Sequence, residues 1–221
     1  MINLQNVYKI YDNRQVEALR GVNLLVRQGE FIAVMGESGS GKTTLMNILG
    51  CLDTVTTGRY CLFGQDVSKL DADGLANIRN RKIGFIFQDF NLIDKLTARE
   101  NVELPLVFRG VPKEERRRIS SAALEAVGLS SRMDHIPSEM SGGQQQRVAI
   151  ARVIAGKNRL ILADEPTGNL DAKSARDVLR IIQALWKEGH TVVLITHDAG
   201  IAACAQRIIR IADGTIQTEG C

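Results

Sequence analysis

Eight residues in the first quarter of the chain restrict it more than any others: Gly36-Glu37-Ser38-Gly39-Ser40-Gly41-Lys42-Thr43, the spacing GxxxxGK[ST]. The apolar run Phe31-Ile32-Ala33-Val34-Met35 before it reads as a buried strand. Leu45, Met46, Ile48 and Leu49 after it keep a helical spacing up to Gly50, a plausible helix end. Strand, glycine-rich turn and helix in that order form a phosphate cradle. Gly36, Ser38, Gly39, Ser40 and Gly41 let backbone N–H groups curl around an anion, and the helix N-terminus adds its partial positive charge. Lys42 can reach the β- and γ-phosphates of a nucleotide, and the Thr43 hydroxyl can ligate Mg²⁺. The alternative is a chance match in a glycine-rich turn, which the flanking strand and helix argue against.

The rest of the chain alternates strands with helices, as a mainly parallel core sheet requires. Residues 2–10 and 19–26 read as half-buried antiparallel strands joined by a polar turn at Asp12-Asn13-Arg14. A short strand follows over 58–63. A helix follows over 70–81, with Ser68-Lys69-Leu70-Asp71 as a candidate capping box. Ile83–Phe87 is a further strand. From about 89 to 157 helical signals dominate. Thr97-Ala98-Arg99-Glu100 opens a short helix interrupted by Pro105. Residues 113–127 are amphipathic, with Ile119, Ala122, Ala123, Ala126 and Val127 on one face. The charged block 113–118 reads as a solvated face. A second strong helix covers 145–156. Strands return at 160–163, 191–196 and 207–211, with a helix at 172–188 and a hairpin turn at Asp213-Gly214 leading into 215–218. The expected fold class is therefore α/β. A P-loop NTPase (RecA-like) core with an antiparallel β subdomain spans 1–88 and 158–221, and an α-helical subdomain is inserted at 89–157.

Composition excludes several classes. The 221 residues carry a net charge of only +3, spread along the chain, which does not argue for direct nucleic-acid binding. No apolar run approaches the 18 or so residues of a membrane-spanning helix, so no direct membrane insertion is expected. The N-terminus lacks the pattern of a secretory signal, and a cytoplasmic location is expected. Cys51, Cys61, Cys204 and Cys221 have no metal-ligand spacing and read as reduced structural thiols.

Two further constellations carry chemistry. The strand 160–163 ends in Asp164-Glu165, placing two carboxylates where α/β sheets bind ligands. Asp164 suits a Mg²⁺-holding role, and Glu165 could polarise an attacking water. Met140-Ser141-Gly142-Gly143-Gln144 precedes the 145–156 helix and forms either a second anion nest or an ordinary Ser cap.

Taken together, these motifs resemble the nucleotide-binding subunit of an ATP-binding-cassette (ABC) transporter, and the resemblance covers the whole chain. It implies ATP and Mg²⁺ as cofactors and a homodimer that sandwiches two ATP molecules. Ser141, Gly142, Gly143 and Gln144 would serve the partner's nucleotide in trans. By position, Tyr11 matches the aromatic that stacks on adenine, with Tyr8 a weaker candidate; the alternative for either is a strand-face aromatic. Thr44 joins the nucleotide-binding set. Gln88 matches the Q-loop glutamine, a Mg²⁺ contact together with Thr43 and Asp164. Asp171 matches the D-loop, and His197 the switch histidine beside Glu165 and Lys42 in catalysis. His135 and His190 match nothing. Met140 replaces the usual Leu of the signature, a near-isosteric change. Glu37 places a charge inside the P-loop.

Within that family, stretches such as 47–53, 84–88, 100–105 and 163–171 resemble the macrolide-exporter and lipoprotein-release (MacB/LolD-like) branch. That branch implies a separate transmembrane permease as partner and a peripheral position on the inner face of the membrane. Phe85, Phe87 and Phe90 would form the groove for the permease's coupling helix, the alternative being plain core. Competing readings are a cell-division-type ABC ATPase that signals without transport, a soluble ABC ATPase of DNA repair or translation, and a P-loop kinase or GTPase. The last leaves 141–144 and His197 unexplained.

Overall fold

The computed structural model describes residues 1–11 and 16–217, so the turn expected at Asp12-Asn13-Arg14 lies outside the described residues, as do Thr218 and Cys221. Its internal contacts divide the chain into two compact units, Met1–Arg79 with the segment from Gly189 onward, and Asn80–Glu188.

The first unit contains an antiparallel sheet. Strand β1 (Ile2–Tyr11) pairs with β2 (Val16–Val26) and with β4 (Thr57–Leu62), and β4 pairs with β5 (Gln65–Asp66). Ile2, Leu4, Val7, Val22, Leu24 and Val26 are buried, and shifts of register explain why the alternation along β1 is imperfect. The same unit holds a parallel ladder. Strand β3 (Phe31–Met35), buried along its whole length, lies between β8 (Thr191–Ile195) and β9 (Arg207–Ala212), and β9 turns back into β10 (Thr215–Gln217). Such continuous burial is what an apolar run without alternation encodes. Helix α1 (Lys42–Leu49) follows β3 directly and ends at Gly50. Helix α2 (Ala72–Lys82) starts later than its sequence suggests. Asp71 Oδ1 accepts from the Gly74 N–H at 2.8 Å, whereas Ser68 accepts from the Tyr60 N–H at 2.8 Å. The capping box expected at Ser68–Asp71 is therefore absent, because Ser68 is used to join β4 to the strand end that follows it.

The second unit pairs β6 (Ile83–Ile86) in parallel with β7 (Leu160–Asp164). Helix α3 (Ala98–Phe108) begins in the Thr97/Glu100 capping box but runs straight through Pro105. Buried Val102 and Leu106 on either side of the proline hold the helix together where its ring removes a backbone donor. Helix α4 (Lys113–Ala126) buries Ser120, Ala123 and Leu124, so its inner face is rotated from the expected one, and Ala122 and Ala126 are exposed. The rotation has a polar cause. Ser120 donates to Glu103 Oε1 at 3.2 Å, and Arg116 from the charged block pairs with Glu103 Oε2 at 3.4 Å. Helix α5 (Gly142–Gly156) is the buried axis of this unit, packed by both α3 and α4. Helix α6 (Ala172–Lys187) follows β7. In the first unit, the short α7 (Ala199–Ala202), not foreseen in the sequence, is capped by Asp198. No helix among the described residues is long and apolar enough to cross a membrane.

Candidate functional site

In the first unit, the turn between β3 and α1 is built for an anion. Gly41 begins α1 at φ 105°, and Gly39 sits at φ 79°, both in the region that favours glycine. A Cβ at Gly36 would stand 2.3 Å from the Ile211 carbonyl oxygen, and one at Gly41 would stand 2.6 Å from that of Ala18. Both glycines are thus fixed by close approach of other backbone. Gly214 anchors the loop from outside: its N–H donates to the Ser40 carbonyl at 3.0 Å, and its own carbonyl accepts from the Arg20 N–H at 2.8 Å. The Ser40 hydroxyl is buried, and among the described residues no group hydrogen-bonds to it. A buried donor of this kind calls for an acceptor, and a phosphate oxygen is a fitting one. Lys42 Nζ donates to the Gly36 and Glu37 carbonyls at 2.7 and 2.6 Å, bringing its ammonium onto the loop. Glu37 and Thr43 are exposed. A groove beside the loop, of about 640 Å³, is lined by residues 36–40, His197, Arg210 and Asp213, so the P-loop and His197 share one surface.

Tyr11 belongs to the same unit. Its hydroxyl donates to Asp53 Oδ2 at 2.6 Å. Burial and the neighbouring Asp53 push its pKa up. Lys9 Nζ pairs with Asp53 Oδ1 at 2.6 Å and lies 4.8 Å from the Tyr11 ring centroid. Burial would raise the Asp53 carboxyl, but hydrogen bonds from Lys9, Tyr11 and the Thr54 N–H outweigh it and hold the group below the usual carboxylate range.

In the second unit, Asp164 ends β7 and Glu165 follows at φ 41°, a left-handed conformation that a glutamate adopts only when its surroundings impose it. The buried Gln146 of α5 donates its amide to the Phe87 and Pro166 carbonyls at 3.1 and 2.6 Å, tying α5 to the ends of both strands. Gln88 Nε2 reaches Asn169 Oδ1 at 3.1 Å. A Cβ on Gly168 would come within 2.9 Å of that Gln88 nitrogen, so glycine leaves room for the amide. Ser141 caps α5 in a reciprocal box with Gln144, so the helix starts at Gly142, three residues earlier than the sequence suggests. Asp171 caps α6 through the Lys173 and Ser174 N–H groups at 2.9 and 3.0 Å. The Ser174 hydroxyl and N–H hold its carboxyl below the usual range. A Cβ on Gly143 would stand 2.5 Å from Ser174 Oγ, so the second signature glycine is required by the packing of α5 on α6.

The sequence pattern of the ABC transporter family matches residues 19–168. The chain belongs to the ABC transporter family. A macrolide export ATP-binding/permease protein, MacB, of Brucella melitensis is 52% identical over 221 residues, which is 99% of this chain and 34% of that protein. The ABC chain thus spans about a third of the length of that relative. An ABC transporter ATP-binding protein, YknY, of Bacillus subtilis is 50% identical, covering 98% of this chain and 95% of the relative. Among solved structures, a dimeric ATP-binding cassette in a post-hydrolysis state, bound to ADP and Pi, superimposes with a TM-score of 0.91 at 45% identity, covering 100% of this chain and 98% of that one. The ABC fold, with its MacB/LolD-type kinship, agrees with the α/β P-loop class expected from the sequence.

The structure of this ABC chain brings Gly36–Thr43, Thr44, Tyr11 and His197 into the first unit. Gln88, Asp164, Glu165, Ser141–Gln144 and Asp171 all belong to the second. Sequence reasoning missed Asp53, Lys9, Gln146 and Asn169. Gln146 did leave a trace, as a lone polar residue on the apolar stripe formed by Ala149, Ile150 and Val153. Asp53 left none. Of the aromatic cluster, Phe85 and Phe87 stack with centroids 5.4 Å apart, and neither is fully buried.

Proposed function

We propose that this chain is the ATP-binding and ATP-hydrolysing subunit of an ABC transporter. Two copies close on two ATP molecules and so drive a transmembrane permease on the inner face of the membrane, with the ATPase itself in the cytoplasm. The observation that carries this reading is that each unit presents a glycine-flanked helix start fit for phosphate. In one, Gly36, Gly41 and the buried Ser40 hydroxyl surround the start of α1; in the other, Ser141 caps α5. The similarity to MacB, an export ATP-binding/permease protein, supports the transport reading. A dimeric ABC cassette carrying ADP and Pi supports nucleotide-driven pairing.

In this reading Ser38, Gly39, Ser40, Gly41 and Lys42 bind the phosphates, and Tyr11 stacks on the base. Thr43, Asp164 and Gln88 offer a hydroxyl, a carboxylate and an amide carbonyl, the hard oxygen donors that Mg²⁺ prefers. The ion, when bound, neutralises charge on the transferring phosphoryl group. Glu165 accepts a proton from the attacking water, His197 hydrogen-bonds the γ-phosphate, and Ser141–Gln144 of a second copy complete the site. Asp171 faces that copy, and the 89–157 segment, with α3–α5, is the signature-bearing helical subdomain inserted into the 1–88 and 158–221 core.

Glu165→Gln is the direct test. With the proton acceptor removed and binding kept, ATP and Mg²⁺ should convert the chain to a stable dimer on size exclusion. A variant that binds ATP and remains monomeric at high concentration overturns the sandwich.

A further inference from the structure

We infer that Asp53 and Lys9 are positioning residues for the nucleoside, pinning the Tyr11 ring as the platform on which the base of ATP stacks. The inference rests on the ATP reading above and extends it to two residues outside the phosphate machinery.

Two contacts hold the ring directly, and further bonds fix the residues that make them. The Tyr11 hydroxyl donates to Asp53 Oδ2 at 2.6 Å. Asp53 is itself held, by Lys9 Nζ and by the Thr54 N–H at 2.7 Å. Lys9 Nζ donates in addition to the Thr54 carbonyl at 2.9 Å, and it sits over the ring at 4.8 Å from the centroid. The Lys9 side chain is only 11% exposed, so its charge is committed to this cluster.

These contacts have a mechanical consequence. A tyrosine at a strand end can swing about two torsions, and stacking on a base must then include the cost of stopping it. Here the phenol oxygen is fixed at one edge, and an ammonium covers one face. A base can use only the opposite face. The ring is therefore held in place before a base arrives. A purely structural role, joining β1 to the segment after α1, would need the Lys9–Asp53 pair alone; it gives no reason for the phenol to bond Asp53 as well, nor for the ammonium to sit over the ring.

The test separates base from phosphate. Displacement of mant-ATP from the full chain measures the affinity for ATP and, separately, for tripolyphosphate, which has no base. Asp53→Asn should weaken ATP about three- to tenfold, while tripolyphosphate stays within about twofold of the parent. Tyr11→Phe cuts the same bond from the other side and should show the same ATP-only loss; it carries the test should Asp53→Asn not fold. The double variant should be no weaker than the weaker single one, because both remove one interaction. Equal loss of ATP and tripolyphosphate would make the cluster merely structural and overturn the inference. Unchanged ATP affinity in both variants would overturn it too, leaving the ATP reading intact. A parent that binds neither probe would instead overturn the ATP reading itself.

Discussion

Gln88 Nε2 donates to Asn169 Oδ1 at 3.1 Å, joining residues 81 positions apart. Asn169 Nδ2 in turn donates to the Gln88 carbonyl at 3.4 Å and to Asp89 Oδ1 at 3.0 Å. Asn169 thus ties the turn after β6 to the turn after β7 at their outer ends, beyond the bridge made by Gln146. Asn169→Ala should release Gln88 without touching the phosphate loop. Turnover should fall about ten- to a hundredfold, since small misplacement of a positioned group is costly. ATP affinity should hold within about twofold, and both are read by phosphate release and by mant-ATP displacement. Equal loss in both would place Asn169 in folding rather than in positioning.

Gly143 is a matter of space. Gly143→Ala would drive its methyl into the Ser174 hydroxyl at 2.5 Å and the Ser174 Cβ at 2.7 Å. A loss of about 1–3 kcal/mol is expected, read as a lower denaturation midpoint. Adding Ser174→Gly should restore most of it by removing the obstructing atoms. Gly142→Ala, whose nearest neighbour would be Phe90 at 3.4 Å, should be tolerated in stability. Full destabilisation by Gly142→Ala, or no rescue by Ser174→Gly, would refute this account.

Ser141 caps a helix in the structure and serves the partner's phosphate in the proposed function. The two roles can be separated. Ser141→Ala should cost about 1 kcal/mol of stability by loss of the cap and should also cut turnover. Ser141→Asp restores a good cap, so stability should return. Its negative charge opposes a triphosphate, so turnover should stay low. Recovery of turnover along with stability would show that Ser141 acts only as a cap.

Asp53 gives the chain a predictable response to acid. Its carboxyl is held below the usual value of 3.8, so its contribution is present above that value and is lost as the pH falls through the lower native one. The parent should be the more stable protein at pH 7, and its advantage over Asp53→Asn should shrink below about pH 4. Thermal melts of both proteins from neutral pH to about pH 2.5 check this. A constant gap across that range would mean that Asp53 has no depressed pKa.

Much of this molecule was legible because its signals are local. The strand Phe31–Met35, the turn glycines and helix α1 are neighbours in sequence, and backbone geometry demands just those residues. Thr97 and Glu100 spell their own cap. The failures share a cause as well. Ser68 left its expected cap for Tyr60, Pro105 was carried inside a helix by Val102 and Leu106, and α4 turned its face so that Ser120 could meet Glu103. Each outcome was decided by packing or a hydrogen bond that the local pattern of residues does not spell out. In the site, Lys42 announces itself, whereas Asp53, in the loop after α1, matters only because Tyr11 and Lys9 come to it from β1, more than forty residues away.

The contact between Gly214 and Ser40 bears on how the protein matures. A Cβ at 214 would press to 2.8 Å on the Ala18 carbonyl, so this corner has no slack. The phosphate loop and its buttress lie some 170 residues apart in the chain, so the buttress is made after the loop it supports. The loop is therefore finished only once that later segment has folded back onto it, and a firm grip on a nucleotide waits for that closure.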